Sequence, residues 1–419
     1  MSSKRAQPSN RLQLTSWCLF DFANSSFTTV IITAIFAVYF SDVIAGSSSN
    51  LSGTTLWNLC LLVSNVAIIL TAPIIGALAD SQGRRKSYLF ISYLICIVGT
   101  AALFWVGPGD VLVAMVVVSI ANMAFATGEN LIASFLPLLV RAERIGWLSS
   151  VGWATGYAGG LAALLICAAV MDKTNLGVPG TNLVVAAFFF IGGLPAFLFI
   201  KEIPIRKAAS GAASTLTTVL ARLRHTLRHP GEHADLARFL VAHTIFSMGV
   251  YGVIGFGGIY GRELFGMSQS TIIQVFMASQ FSAAAGSLLS SYLCGRIGAM
   301  RSCAASLVIW IIVGCSATVA NSEGQYWVIA MVAGFAMGLS LPSARAVVGE
   351  LAPTDRTAEF FGYWGLTARL AAIGAPTGNL ICSELTGTLR GGLWFFTAMF
   401  AIGLLILVQP LRAAPATRQ

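Results

Sequence analysis

Charge is what this chain has least of. Only 10% of its 419 residues are Asp, Glu, Lys or Arg, against about 25% in an ordinary soluble domain. Hydrophobic residues make up 56%, more than one globular core buries without splitting into several domains. No glycine-rich P-loop string occurs, which excludes ATP-driven transport at the sequence level. The four histidines, His225, His229, His233 and His243, lie in or near one polar stretch. With no nucleophile–base arrangement and no metal-ligand spacing, neither an enzyme, a metal site nor a cofactor is expected. All eight cysteines fall within or at the end of apolar runs, which argues against disulfides. The opening MSSKRAQPSNRLQ lacks a cleavable signal pattern, so the first apolar run is expected to serve as the insertion signal.

What the chain has instead is long apolar runs, twelve of them. They cover roughly 14–40, 55–79, 87–107, 111–140, 148–171, 182–200, 236–261, 271–294, 302–320, 326–350, 359–383 and 392–410. A hydrocarbon core ~30 Å thick needs about 20 helical residues to span it. The expected fold class is an all-α membrane protein with twelve transmembrane helices. Of the 25 Lys and Arg residues, twenty fall in segments on one side, three (Lys173, Arg262, Arg390) on the other, and two inside the runs. The positive-inside rule then places both termini in the cytosol, and the expected location is the plasma (inner) membrane. The net charge of +9 is thereby topogenic, and a nucleic-acid partner is not expected.

One long polar stretch divides the chain into a six-helix bundle at 1–200, a cytoplasmic linker at 201–235 and a second six-helix bundle at 236–419. Within the linker, Leu216, Val219, Leu220, Leu223 and Leu227 recur at helical spacing beside Arg222, Arg224 and Arg228, ahead of Pro230 and Gly231. An amphipathic surface helix is expected there, with a solvated linker as the alternative. The halves echo each other at an offset of about 206–215 residues, as parallel transporter repeats do. Ala77–Ser87 parallels Tyr292–Ser302, Arg141–Gly146 parallels Pro353–Ala358, and Phe188–Phe190 parallels Trp394–Phe396.

The most specific string is GALADSQGRRK, Gly76 to Lys86. Asp80 ends a helix, Gly83 supplies a tight turn, and Arg84, Arg85 and Lys86 follow. The carboxylate can pair with Arg or cap the next helix, and such pairs fasten one conformation and break in another. Glu143–Arg144 and Asp355–Arg356 are the natural partners, so these residues form a candidate conformational latch; mere topological anchoring is the alternative. The second copy has Gly295 at the Asp80 position, so the latch should be asymmetric. Gly152, Gly156 and Gly160 lie four apart and should form a small-residue packing face.

Charges inside the membrane cost ~2.5–3.5 kcal/mol even on the lenient insertion scale. Asp21, Glu129, His243, Arg345 and Arg369 fall in the runs and are candidates for substrate or proton coupling. Asp21, Asn24, Ser25 and Thr28 follow helical spacing and form one polar stripe. Arg345 shares a face with Gly338, Leu341 and Pro342, where an unwound backbone could also bind ligand. An internal Asp–Arg or Glu–Arg pair that only locks helices is the competing explanation. For His243, near the start of its run, it is exposure to water.

The string at Gly76–Lys86 resembles the loop between the second and third helices of major facilitator superfamily transporters. The opening Phe20-Asp21-Phe22-Ala23-Asn24-Ser25 resembles the first-helix motif of the vacuole-effluxer-like family, named for the autophagy-related vacuolar amino acid effluxer. Phe135-Leu136-Pro137, Gly156–Gly160, Phe256–Tyr260, Phe265–Ser268 and Ala358–Gly362 match in the same order. The resemblance implies a major facilitator fold of two six-helix pseudo-repeats and a secondary transporter exporting a small metabolite such as an amino acid. It carries Asp21, Asn24 and Arg345 into the site, with Arg369 where the family has lysine. Met248, Ile132-Ala133 and Leu341 replace polar family residues at positions expected to face the cavity, and Glu129 would compensate. A proton-coupled drug or secondary-metabolite exporter, or a non-transporting receptor or scaffold, are the alternatives. The expected partners are a small-molecule substrate, protons and membrane lipid, with the chain acting as a monomer.

Overall fold

The computed structural model describes residues 10–46, 51–202, 221, 223–226, 228 and 230–409. Twelve long helices run through them: α1 (Arg11–Ile44), α2 (Gly53–Gln82), α3 (Arg85–Trp105), α4 (Val111–Leu139), α5 (Ala142–Lys173), α6 (Gly177–Phe199), α7 (Ala234–Phe265), α8 (Gln269–Ile297), α9 (Ala299–Val319), α10 (Glu323–Leu351), α11 (Thr357–Thr386) and α12 (Arg390–Leu407). No strand occurs among the described residues. Lipid offers the backbone no hydrogen bonds, so a spanning segment must satisfy its own, and the helix does so residue by residue.

Each expected run is a helix, and most extend past the apolar residues to a polar end. Ser52, Ser268 and Ser322 cap α2, α8 and α10 by accepting the backbone N–H three residues on. Gly83 (φ 63°) closes α2 in the left-handed conformation that glycine alone adopts without strain. Eleven helices are long and apolar enough to cross a membrane; α11 falls short, because Arg369 and Asn379 interrupt its middle. Helix α1 is irregular, turning π-helical over Phe27–Ala34 and Phe40–Ile44. Where the first such segment begins, the Ser25 hydroxyl donates to the Asp21 carbonyl (2.9 Å) and Thr28 to the Ser25 carbonyl (3.1 Å). Hydroxyls bonding back to their own helix compete with its regular ladder.

Helices α1–α6 pack mainly among themselves, as do α7–α12. The two groups meet chiefly at four crossings: α2 with α11, α5 with α8, α5 with α10, and α4 with α11. Exchanging the halves turns α2·α11 into α8·α5 and α5·α10 into α11·α4, the pairing of a pseudo-twofold. Tight approach depends on glycine at these seams. A Cβ on Gly76 would strike the Ala358 backbone, and one on Gly362 the backbone of Ala72 and Pro73. These contacts join the halves at one end of the bundle, the end that carries Asp80, Arg144, Arg301 and Arg356.

Part of the polar stretch reaches this end. Leu223 is buried, and the Thr226 hydroxyl accepts from Arg356 Nη2. Leu216, Val219, Leu220, Arg222 and Leu227 lie outside the described residues. Pro230–His233 forms a single 3-10 turn that leads directly into α7.

Candidate functional site

The polar stripe of α1 faces the meeting of α5 and α10. Arg345 Nη1 of α10 pairs with Asp21 Oδ2 at 2.8 Å. Both side chains are inside the protein, Asp21 8% and Arg345 2% exposed. The remaining edge of the guanidinium is also used. Its Nε donates to the Ser149 hydroxyl (3.0 Å) and Nη2 to the Ser149 carbonyl (2.8 Å), while that hydroxyl donates to the Pro342 carbonyl (2.8 Å). The Trp17 ring lies 4.7 Å from the guanidinium carbon and the Trp153 ring 5.5 Å, so π-faces flank the cation. A buried ion pair is tolerable only when its spare donors and acceptors find partners; the guanidinium finds them in Ser149, whereas Asp21 has Arg345 as its counter-charge and no further donor among the described residues.

Glycines make the pair possible. A Cβ on Gly152 would fall on Asp21 Oδ2, Trp17 and Arg345 Nη2. Gly156 makes the same room for Ser25, Gly159 for the Phe22 carbonyl and Gly160 for Thr29. The stripe on α5 is thus a packing face for α1, as its spacing suggested. Asn24 is buried with Oδ1 unbonded, and the Tyr157 hydroxyl and Trp153 Nε1 are likewise buried without a partner.

Glu129 of α4 and Arg369 of α11 occupy the symmetry-related crossing. Among the described residues neither makes a hydrogen bond or a direct ion pair. Glu129 nevertheless lies within electrostatic range of Arg369, Arg345 and Asp21, and Tyr251 of α7 within range of Glu129 and Arg369. At the same crossing Gly365 packs against the Asn130 amide, where a Cβ would not fit.

His243 belongs elsewhere. It is 2% exposed, not facing water, and holds α7 to α11. Trp364 Nε1 donates to its Nε2 (3.1 Å), which leaves the ring proton on Nδ1 to donate to Thr367 Oγ1 at 2.8 Å. Both ring nitrogens are spent on packing. Other expected cavity positions are also closed. Ile132 and Ala133 are fully buried, with the Ile132 carbonyl accepting from Trp17 Nε1 at 2.8 Å. Met248 packs on Gly374 of α11. Helix α10 stays helical through Gly338 and Pro342; no unwound backbone is present there.

At the Asp80 end, the expected carboxylate–arginine pair forms, but within one half and toward the other. Asp80 Oδ1 takes Arg85 Nε, and Oδ2 accepts the Glu359 backbone N–H at 2.8 Å. Asp80 therefore caps α11 across the seam, not α3, the next helix in sequence. Arg85 Nη2 continues across to the Thr354 carbonyl (3.1 Å), and Gly76 lets the two helices touch. Glu143, Arg144, Arg84 and Asp355 are exposed and join no ion pair among the described residues. Arg356 pairs instead with Glu359, at Nε–Oε2 3.1 Å, a partner the loop spacing did not indicate. Of the proposed latch residues, Gly76, Asp80, Gly83 and Arg85 cluster at the seam with Arg356 close by.

Trp17, Ser149, Trp153, Tyr157 and Tyr251 were not singled out from sequence. Trp17 had a signal, since it stands one turn before Asp21 on the same stripe. Ser149 and Trp153 flank Gly152, but only the α5–α10 crossing shows what they touch.

Comparison with known proteins agrees with this architecture. The fold matches the crystal structure of the human organic anion transporter MFSD10 with a TM-score of 0.75 at 14% identity, covering 96% of this chain and 100% of that one. It matches FucP, a major facilitator transporter in the outward conformation, with a TM-score of 0.72 at 14% identity, covering 95% and 97%. In sequence the chain is 24% identical over 402 residues to an uncharacterized MFS-type transporter, YxiO, of Bacillus subtilis (strain 168), covering 94% of each. It is 26% identical over 189 residues to autophagy-related protein 22 of Cryptococcus neoformans var. neoformans serotype D, 41% of this chain and 35% of that protein. The profile of the family described as "Vacuole effluxer Atg22 like" matches residues 56–412. This chain belongs to that family, a multi-pass membrane protein and secondary transporter of the major facilitator superfamily.

Proposed function

We propose that this transporter exports a small metabolite such as an amino acid by alternating access, exchanging it for protons. The observation that carries the proposal is the Asp21–Arg345 pair, formed between α1 of one half and α10 of the other. Such a pair exists only while the halves are together at this level. When they part, a proton can replace the guanidinium as the counter-charge of Asp21, which links proton movement to the conformational cycle. Glu129 and Arg369 lie within electrostatic range of this pair or of each other, and with Asn24 and Ser25 on the α1 stripe they supply the polar contacts an amino acid needs. The division at 1–200, 201–235 and 236–419 supports rigid-body rocking of two bundles. The twenty-to-three bias of Lys and Arg supports cytosolic termini; a plasma-membrane location and action as a monomer belong to the same proposal.

A second reading, a proton-coupled drug or secondary-metabolite exporter, is favoured by the rings of Trp17, Trp153 and Tyr157 around the pair. The two readings separate in one experiment. Purified protein in liposomes with a pH gradient is offered labelled amino acids and amphipathic drugs. Amino acid flux that Asp21→Asn uncouples from the gradient, with exchange partly surviving, is the expected result. A variant neutral at both Asp21 and Arg345 that retains normal proton-coupled flux would refute the coupling role.

A further inference from the structure

Two crossings related by the pseudo-twofold hold the charges of the membrane interior, and they differ in one respect. At α5·α10 the cation is spent: Arg345 bonds Asp21 and both oxygens of Ser149, between two indole rings. At α4·α11 the charges are unspent: Arg369 Nε is buried with no acceptor, and Glu129 has no direct donor among the described residues. Helices α4 and α11 form the crossing that the pseudo-twofold relates to α5·α10. Trp153 packs on Arg345 in one crossing, and Arg369 lies within electrostatic range of Glu129 in the other, where Gly365, one turn before Arg369, packs on Asn130 beside Glu129.

We infer that Glu129 and Arg369 form the substrate-anchoring pair, and that Asp21 and Arg345 are a tie between the halves that does not touch substrate in this conformation. This rests on the transporter reading above and assigns its substrate chemistry. A carboxylate and a guanidinium held near each other, yet not bonded, fit a ligand with one charge of each sign. An α-amino acid has that form: its carboxylate takes the planar N–H edge of Arg369 and its ammonium takes Glu129. Tyr251 of α7 lies within electrostatic range of both. Leaving two opposite charges unpaired in a low-dielectric interior is unfavourable, so a zwitterion has strong reason to enter.

The test uses the full-length wild-type protein first, so it does not depend on any variant folding. Purified protein is titrated with the proteinogenic amino acids, and each amino acid that binds is compared with its N-acetyl and methyl-ester forms. Both derivatives are expected to lose on the order of tenfold or more in affinity, since each removes one charged contact. Glu129→Gln should lower affinity for the free amino acid by a similar factor and narrow its advantage over the N-acetyl form, with Arg369→Gln doing the same for the ester. Asp21→Asn should leave affinity within about threefold while exposing the seam thiol of Cys294 to a water-soluble maleimide. Derivatives that bind as well as the parent, or an Asp21→Asn affinity loss matching that of Glu129→Gln, would overturn the assignment and leave amino acid transport standing. Failure of every amino acid to bind or move in liposomes would overturn both.

Discussion

The two seams that close the basic end are symmetry mates, yet they are built from different chemistry. At α2·α11 the closure is ionic: Asp80 binds Arg85 and the α11 backbone, and Gly76 lies against the Ala358 carbonyl. At α5·α8 it is neutral. The Ser287 hydroxyl donates to the Ser150 carbonyl (2.7 Å), and Gly146 packs on the Cys294 side chain. Gly295, which stands at the Asp80 position of the second repeat, touches nothing on its open side. One duplicated fold has kept a charged fastener on one seam and lost it on the other. The charged seam can respond to electrostatics and to a helix N-terminus; the neutral one relies on fit alone. The seams should therefore break by different routes, and Cys294, buried at the neutral seam, reports opening through its reactivity with a maleimide.

The largest effect is expected from Gly76→Ala, because the new methyl meets the backbone of Ala358, which cannot turn aside. Overpacking of this kind costs about 1–3 kcal/mol, so the closed state should lose roughly 5- to 150-fold in population. Cys294 labelling should rise and transport should fall; unchanged labelling would show that the seam does not govern closure. Next in size is Asp80→Asn. Hydrogen bonds to a charged group contribute about 1.5–3 kcal/mol, but an amide oxygen can still accept the Glu359 N–H, so about tenfold faster labelling is expected. Full transport with wild-type labelling would make Asp80 a topological anchor only. Gly146→Ala applies the first substitution to the neutral seam. The obstacle there is a single carbon, the Cys294 Cβ, instead of a peptide group, so a smaller shift of α8 relieves it and a change of about threefold in flux is expected. An effect equal to that of Gly76→Ala would erase the contrast between seams. Glu143→Gln should change neither flux nor labelling by more than about twofold, since the carboxylate is exposed and unpaired among the described residues.

Much of this was legible in the residues. Long apolar runs have one stable form in lipid, which is why every span expected from composition is present as a helix. Asp80 was legible because its string ties a carboxylate, a turn glycine and arginines within eleven residues. Its partner in the other half was not, since the Glu359 N–H is 279 residues away and backbone amides leave no mark in a sequence. For the same reason Glu143 and Asp355 looked like partners and are not: spacing shows which end of the bundle a charge occupies, not which side chain it meets. His243 looked like a water-facing or coupling residue because it stands near a helix start, while Trp364 and Thr367, over 120 residues away, satisfy both its nitrogens.

The sequence by itself determined that this chain crosses a membrane many times, where its repeats lie, and which few charges must be answered inside. Those are local properties, set by hydrophobicity and helical period. Only the tertiary structure decided how the charges are answered. It joined Asp21 to Arg345 and left Glu129 and Arg369 unjoined, because helix crossings, made close by glycine, set which side chains reach each other across the bundle.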